Sequence, residues 1–149
     1  RGLVYEIGTQ IKRFHDTGAF LIHAGCDTGK VAETLQTIFT ELARVRRGPI
    51  TRAELKRAKD YYAGQLLMGL EDTMDHMLWM GEQAVTVGRV ARTEALLGHL
   101  ARVGEREIRR VARHLFVTEK THLAIVGPIA EPDADRLAAL CRIDGGRRA

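Results

Sequence analysis

Residues 1–25, RGLVYEIGTQIKRFHDTGAFLIHAG, decide the fold of this chain. Apolar side chains recur at every second position through most of residues 3–11, which predicts a half-buried strand. The run GAFLIHAG is apolar on both faces apart from His23, and this pattern predicts a more central strand over residues 19–25. Between them, HDTG supplies turn residues and a glycine. The stretch therefore predicts a β-hairpin.

Most of the chain after the hairpin carries the i, i+3, i+4 spacing of amphipathic helices. Asp27 or Thr28 is predicted to cap the first of these helices. Thr51 and Glu54 form a capping box that opens the second. In total the periodicity predicts helices at about residues 28–47, 52–71, 73–88, 94–103, 105–117 and 132–141.

The segment THLAIVGP predicts a third strand over residues 121–127, and residues 144–149 are predicted to form a disordered tail. Three strands are too few for a sheet that so many helices can cover, so we expect an upstream segment or a second chain to supply further strands. The sequence thus predicts a single partial α+β domain over residues 1–143. Its partial sheet, antiparallel or mixed, is expected to be covered by helices.

Composition limits the possible functions. The chain has 149 residues, of which 45% are hydrophobic and 28% charged, as in ordinary globular proteins. A net charge of +4 permits an acidic partner, and the basic side of the helix at 105–117 leaves nucleic-acid binding as one alternative. Scattered arginines and an aromatic content of 5% argue against it, because such binding favours a concentrated stripe with stacking rings. We therefore expect no nucleic-acid partner.

Two further features concern the environment of the chain. No apolar run approaches the roughly 18 residues that a membrane span needs, so none is expected. Cys26 and Cys141 lack the spacing of a zinc or redox motif, and two cysteines cannot make the disulfide framework of a small secreted protein. The sequence consequently leaves the compartment unknown.

Motifs for catalysis are missing from the sequence. No two of the six histidines lie three to five residues apart, whereas a zinc hydrolase places two histidines on one helical face beside a carboxylate. The chain has no serine and no Gly-rich phosphate loop. Asp72 and His76 share a helical face, but a helix cap and a surface histidine explain them better than a metal site does. We expect neither a catalytic residue nor a metal ligand in this chain.

The order of these segments resembles the later part of one half of a pitrilysin-type zinc peptidase. This family includes insulinase and the mitochondrial processing peptidase. The resemblance covers about residues 1–128 and rests on three motifs: G-L-x-Y at 2–5, I-T-x-x-E-L-x-R-A-K at 50–59, and V-G-P at 126–128. In this order the three motifs are fairly specific.

The resemblance implies an architecture of two similar halves, or paired subunits, that close around a peptide. The first half of such proteins carries an H-x-x-E-H zinc motif, which this sequence lacks. The chain therefore resembles the second, non-zinc half of a metalloendopeptidase and is not expected to be active alone. Its expected partners are a zinc-carrying half or subunit, in a homo- or heterodimer, and a peptide substrate. Zinc is expected in that partner.

The resemblance also implies a role for Tyr5, the tyrosine of G-L-x-Y. In active relatives this tyrosine reaches across the cleft toward the substrate carbonyl, which makes Tyr5 a candidate substrate-binding residue. Alternatively, Tyr5 packs in the core with only its hydroxyl at the rim.

A second interpretation of the whole chain is a non-catalytic structural or peptide-binding subunit of the same family.

Overall fold

The computed structural model describes residues 2–143, so the tail predicted at 144–149 lies outside the described residues. The described residues form one two-stranded antiparallel sheet and six α-helices. The elements are β1 (Glu6–Arg13), β2 (Gly18–Gly25), α1 (Val31–Arg47), α2 (Arg52–Gly69), α3 (Thr73–Val87), α4 (Thr93–Arg102), α5 (Glu105–Leu115) and α6 (Glu131–Leu140). Short 3-10 turns lie at Thr28–Lys30 and Thr118–Lys120. The predicted α+β class is confirmed.

The predicted strand over residues 121–127 is wrong for the described chain, where this segment is neither helix nor strand. Its apolar side chains Leu123 and Ile125 are each 38% exposed, and Val126 is fully exposed. A strand exists only through hydrogen bonds to a neighbouring strand. Within residues 2–143 the sheet consists of β1 and β2 alone, so the apolar pattern has no strand to pair with.

The hairpin forms where the sequence predicts it, but the side chains of both strands are mostly exposed in the described residues, so the predicted half-buried and central positions are not observed. At the turn between β1 and β2, the Phe14 amide donates to the Thr17 carbonyl at 2.9 Å. Gly8 in β1 leaves room for His23, because a Cβ atom there would lie 2.5 Å from Cε1 of the imidazole and the exposed ring would have to rotate away. The absence of a side chain at position 8 therefore lets His23 of β2 lie across β1.

The helices begin and end at recognisable signals, with one exception. The Thr51 side chain accepts a hydrogen bond from the Glu54 amide and caps α2, and Gly88, with a φ of 73°, ends α3. The exception is Asp27. It precedes the 3-10 turn that leads into α1, but its side chain makes no capping hydrogen bond. No side-chain cap precedes the 3-10 turn or α1, so the cap predicted at Asp27 or Thr28 is wrong.

The described chain divides into two compact units. One comprises residues 2–10, 20–49 and 106–143, and the other comprises residues 11–19 and 50–105. That both belong to a single domain over residues 1–143 remains a prediction. None of the helices in the described residues is long and apolar enough to cross a membrane.

The core of the first unit lies where α1 packs against α6. Its buried members are Leu35, Phe39, Leu137 and Ile143. Next to them, the ring of Phe116 meets that of Phe20 edge-on, with centroids 5.3 Å apart. This aromatic contact connects β2 to the segment that follows α5.

The second unit is built from α2, α3 and α4. Helices α2 and α4 lie in contact, and Lys59 donates a hydrogen bond to the Ala101 carbonyl at 2.7 Å. The side chains of Met74, Met77 and Leu78 lie along α3 and are each more than half exposed. Among the described residues, no hydrophobic side chain of this unit is fully buried.

The packing of α1 against α6 predicts a large effect for Leu137→Ala. Leu137 is 5% exposed, and deleting a buried leucine side chain lowers the free energy of unfolding by about 2–5 kcal/mol. Leu78→Ala is the matched control, because it deletes the same atoms from a side chain that is 58% exposed. Denaturant unfolding of the full protein measures both, and equal effects would contradict the core assignment.

Candidate functional site

Tyr5 lies immediately before β1, at the open end of the hairpin. Its backbone amide donates a hydrogen bond to the carbonyl of Gly25, the last residue of β2, at 2.7 Å. Its side chain is 76% exposed. The alternative in which the ring packs in a core is therefore not what the described residues show.

The segment that carries Tyr5 is held at both ends. Gly2 has a φ of 58°, a conformation that glycine adopts without strain. The carbonyl of Gly2 accepts a hydrogen bond from Nζ of Lys30 at 2.8 Å, and the amide of Tyr5 is bonded to Gly25. Residues 2–5 are thus fixed to the end of β2 and to the turn that follows it.

The surroundings of the Tyr5 hydroxyl raise its pKa. A hydrogen bond with Asp27 raises the pKa of Tyr5, and loss of solvent contact and the charges of Asp27 and Cys26 act in the same direction. A carboxylate that accepts a hydrogen bond from the phenol favours the neutral phenol over the phenolate. Because the ring is largely exposed, the hydrogen bond is the leading cause. Tyr5 therefore keeps its proton at neutral pH.

A neutral, exposed phenol on an anchored backbone is a hydrogen-bond donor. It can stabilise an oxygen atom on which negative charge develops, provided that the oxygen lies within hydrogen-bond distance. The phenol proton is also the group that a phenylalanine at this position would lack. This is the chemistry that the described surroundings of Tyr5 allow.

The pair Asp72 and His76 has a structural explanation. The carboxylate of Asp72 accepts hydrogen bonds from the amides of Met74 at 2.8 Å and Asp75 at 3.0 Å, which makes it the N-cap of α3. The ring of His76 lies 6.0 Å from that of Trp79, centroid to centroid. The Asp72 carboxylate thus caps α3, as the sequence predicted.

The two cysteines differ in position. Cys26 follows β2 beside Tyr5, whereas Cys141 lies against the core of α1 and α6, where its thiol donates to the Leu137 carbonyl. Burial raises the pKa of the Cys141 thiol. Cys141 is therefore a packing residue with low nucleophilicity.

Sequence reasoning missed Asp27 as part of the site. A signal was present, because pairing β1 with β2 outward from the turn at residues 15–18 brings residue 5 beside the residues that follow β2. Asp27 was interpreted only as a helix cap, the commonest role of an aspartate before a helical turn.

Comparison with known proteins identifies the family. The family model described as the peptidase M16 inactive domain matches residues 1–62. A protein of Streptomyces coelicolor named as an uncharacterized zinc protease is 31% identical over 92% of this chain, and one of Bacillus subtilis with the same description is 28% identical over 86%. This chain covers 30% and 31% of those proteins, respectively. The chain belongs to the M16 peptidase family, and its residues 1–62 match the inactive domain of that family.

The fold is also found in respiratory complexes. A chain of complex III2 from Candida albicans matches with a TM-score of 0.71 and 19% identity, over 78% of this chain and 28% of that chain. Subunit 2 of the mitochondrial cytochrome b-c1 complex of Mus musculus is 22% identical over 89% of this chain and 29% of its own length. The chain thus spans about 30% of the length of the relatives that it matches.

Zinc is implied by the family, and the described residues do not fit it. A protein zinc site needs three or four ligands from His, Cys, Asp or Glu. Between residues 2 and 143, no three such side chains form a group that could hold a metal ion.

The N-cap role of Asp72 predicts a loss of stability without a loss of metal. Asp72→Ala should lower the free energy of unfolding by about 1 kcal/mol, because two amides of α3 lose their acceptor. Asp75→Ala removes a carboxylate from the same turn without removing the cap, and His76→Ala removes the second member of the pair. Denaturant unfolding and zinc content of the full protein distinguish the variants. Loss of zinc in both Asp72→Ala and His76→Ala would contradict the cap assignment.

Proposed function

We propose that this chain is the non-zinc half-domain of a zinc-dependent metalloendopeptidase. It closes the chamber over a peptide substrate, while a partner half or subunit carries the H-x-x-E-H zinc site. The observation that carries the proposal is Tyr5, exposed and protonated on a segment held by Gly25 and Lys30. Membership of the M16 family and similarity to proteins named zinc proteases support it.

Tyr5 has a defined task in this proposal. During peptide hydrolysis the carbonyl oxygen gains negative charge, and a hydrogen bond to it becomes stronger in the transition state than in the bound substrate. Tyr5 donates that hydrogen bond from the covering half-domain. Closure of the two halves brings the donor to the substrate and excludes water, which strengthens the interaction. The chain alone therefore does not hydrolyse peptides.

A second candidate function is that of a structural subunit in a larger assembly. Similarity to cytochrome b-c1 complex subunit 2 and the shared fold with a chain of complex III2 favour it. Such a subunit would have no use for a hydrogen-bond donor directed at a substrate. The two functions therefore differ in what a change at Tyr5 does.

Tyr5→Phe tests the catalytic role in the full enzyme. This substitution removes only the hydroxyl, and we expect kcat and kcat/KM for peptide cleavage to fall together by about 10- to 100-fold. Tyr62→Phe is the control, because it removes the hydroxyl of a tyrosine that is 54% exposed on α2. Unchanged kcat and kcat/KM in Tyr5→Phe would exclude the catalytic role.

Metal content tests the division of labour between the halves. We expect about one zinc per assembly in the protein purified with its associated chains, together with loss of peptidase activity after chelation. The intact mass of each chain shows whether the zinc motif is on the same polypeptide or on a second one. An assembly without zinc would favour the structural subunit. Zinc held by residues of this chain would contradict both proposals.

A further inference from the structure

Helix α5 carries a line of three arginines on its outer face, which we call the arginine stripe: Arg106, Arg110 and Arg113. The three follow one another at intervals of four and three residues. They therefore lie within about 60° of one another around the helix and span about 10 Å along its axis. All three side chains are exposed, whereas Ala112, on another side of the helix, is 2% exposed. The helix thus packs by its Ala112 side and presents the arginine stripe to solvent.

Arg109 shows what a structural arginine in this helix does. Its guanidinium donates a hydrogen bond to the carbonyl of Gly48, the residue that ends α1, at 3.1 Å. The arginine stripe differs from Arg109 in this respect. Within residues 2–143, none of its three guanidinium groups makes a hydrogen bond or an ion pair with another residue. The described residues therefore give the stripe no part in holding the fold together.

The positions of these charges oppose the stability of α5. Arg106 lies in the first turn, where the positive end of the helix dipole disfavours a cation. Arg106 and Arg110 are four residues apart, and Arg110 and Arg113 are three apart. At both spacings like charges on a helix surface repel each other. The helix thus keeps three cations where its own electrostatics disfavour them, and binding of an external anion accounts for this arrangement.

The acidic residues of α5 do not neutralise the arginine stripe. The Glu105 carboxylate accepts a hydrogen bond from the Ile50 amide at 3.4 Å, and Glu107 likewise has contacts outside the stripe. The bond from Arg109 to Gly48 joins α5 to the end of α1. The last turn of α1 adds three arginines that have contacts of their own: Arg44, Arg46 and Arg47. The potential around the stripe is therefore positive.

We propose that the arginine stripe binds an acidic segment of a partner protein. A guanidinium presents two parallel N–H donors that match the two oxygens of a carboxylate, and the cations of α5 include no lysine. Neighbouring arginines of the stripe are about 4.5–6 Å apart along the helix axis. Carboxylates one helical turn apart, or at alternate residues of an extended segment, repeat every 5–7 Å or so. This inference does not depend on the role proposed for Tyr5.

A nucleic acid is the rival ligand, because guanidinium groups also fit phosphates. Sites for single-stranded nucleic acids combine positive charge with aromatic side chains on which the bases stack. Helix α5 contains no aromatic residue. Phe116, which follows it, packs against the core and meets the ring of Phe20. The surroundings of the arginine stripe thus favour the carboxylates of a protein.

Binding of a fluorescein-labelled polyglutamate peptide to the full protein, followed by anisotropy, tests the inference. The stripe variant combines Arg106→Gln, Arg110→Gln and Arg113→Gln. The control variant removes the same charge from exposed arginines elsewhere: Arg52→Gln, Arg57→Gln and Arg89→Gln. We expect the stripe variant to lower the affinity by about tenfold and the control variant by less than about twofold, since exposed ion pairs act locally. Equal losses in both variants, or no binding by the wild type, would overturn the inference.

A single-stranded RNA of the same charge as the peptide distinguishes the two ligands. We expect it to bind no more tightly than polyglutamate. Tighter binding of the RNA that is lost in the stripe variant would make the stripe a nucleic-acid site and would overturn the inference.

Denaturant unfolding separates binding from folding. Glutamine has nearly the helix propensity of arginine, and the substitutions remove both the repulsion within the stripe and the unfavourable charge at the start of α5. We therefore expect the stripe variant to be at least as stable as the wild type. A clear loss of stability would assign the three arginines to the fold and would contradict a role in binding.

Discussion

The pairing of β1 with β2 is the interaction on which the candidate site depends. It brings together two segments that are about 20 residues apart in sequence, residues 2–5 before β1 and the residues that follow β2. The amide of Tyr5 and the carbonyl of Gly25 extend this pairing by one hydrogen bond beyond β1. Without it, Lys30 would have no partner in the first segment. The hairpin thus organises the site as well as the sheet.

Helices and turns were readily predicted from the sequence, and the reason is local. A helix satisfies its backbone hydrogen bonds within a few residues, so apolar spacing and caps such as Thr51 and Asp72 suffice to locate it. The strand pattern at 121–127 is different, because a strand depends on a neighbour that its own sequence does not specify. The apolar residues of this segment alternate as in a strand, but the described residues contain no neighbouring strand that could pair with it.

The site was predicted only in part for the same reason. Tyr5 could be found because it belongs to the G-L-x-Y motif, which is a property of four consecutive residues. Asp27 could not be found in this way, since its effect on the pKa of Tyr5 depends on the pairing that brings the two ends of the hairpin together. Local rules assign an aspartate before a helical turn to capping, but the Asp27 side chain makes no capping hydrogen bond. Where a local rule and a long-range contact compete for one side chain, sequence patterns show only the first.

The crossing of His23 over Gly8 couples two positions in the middle of the hairpin. The imidazole occupies the volume that any larger residue at position 8 would need, so the two positions share one side-chain volume between them. A larger residue at position 8 would need a smaller side chain at position 23 or a rotation of the His23 ring. Rotation is available to the ring, because the His23 side chain is exposed to solvent. Gly8 therefore lets the imidazole lie across β1 without fixing it there.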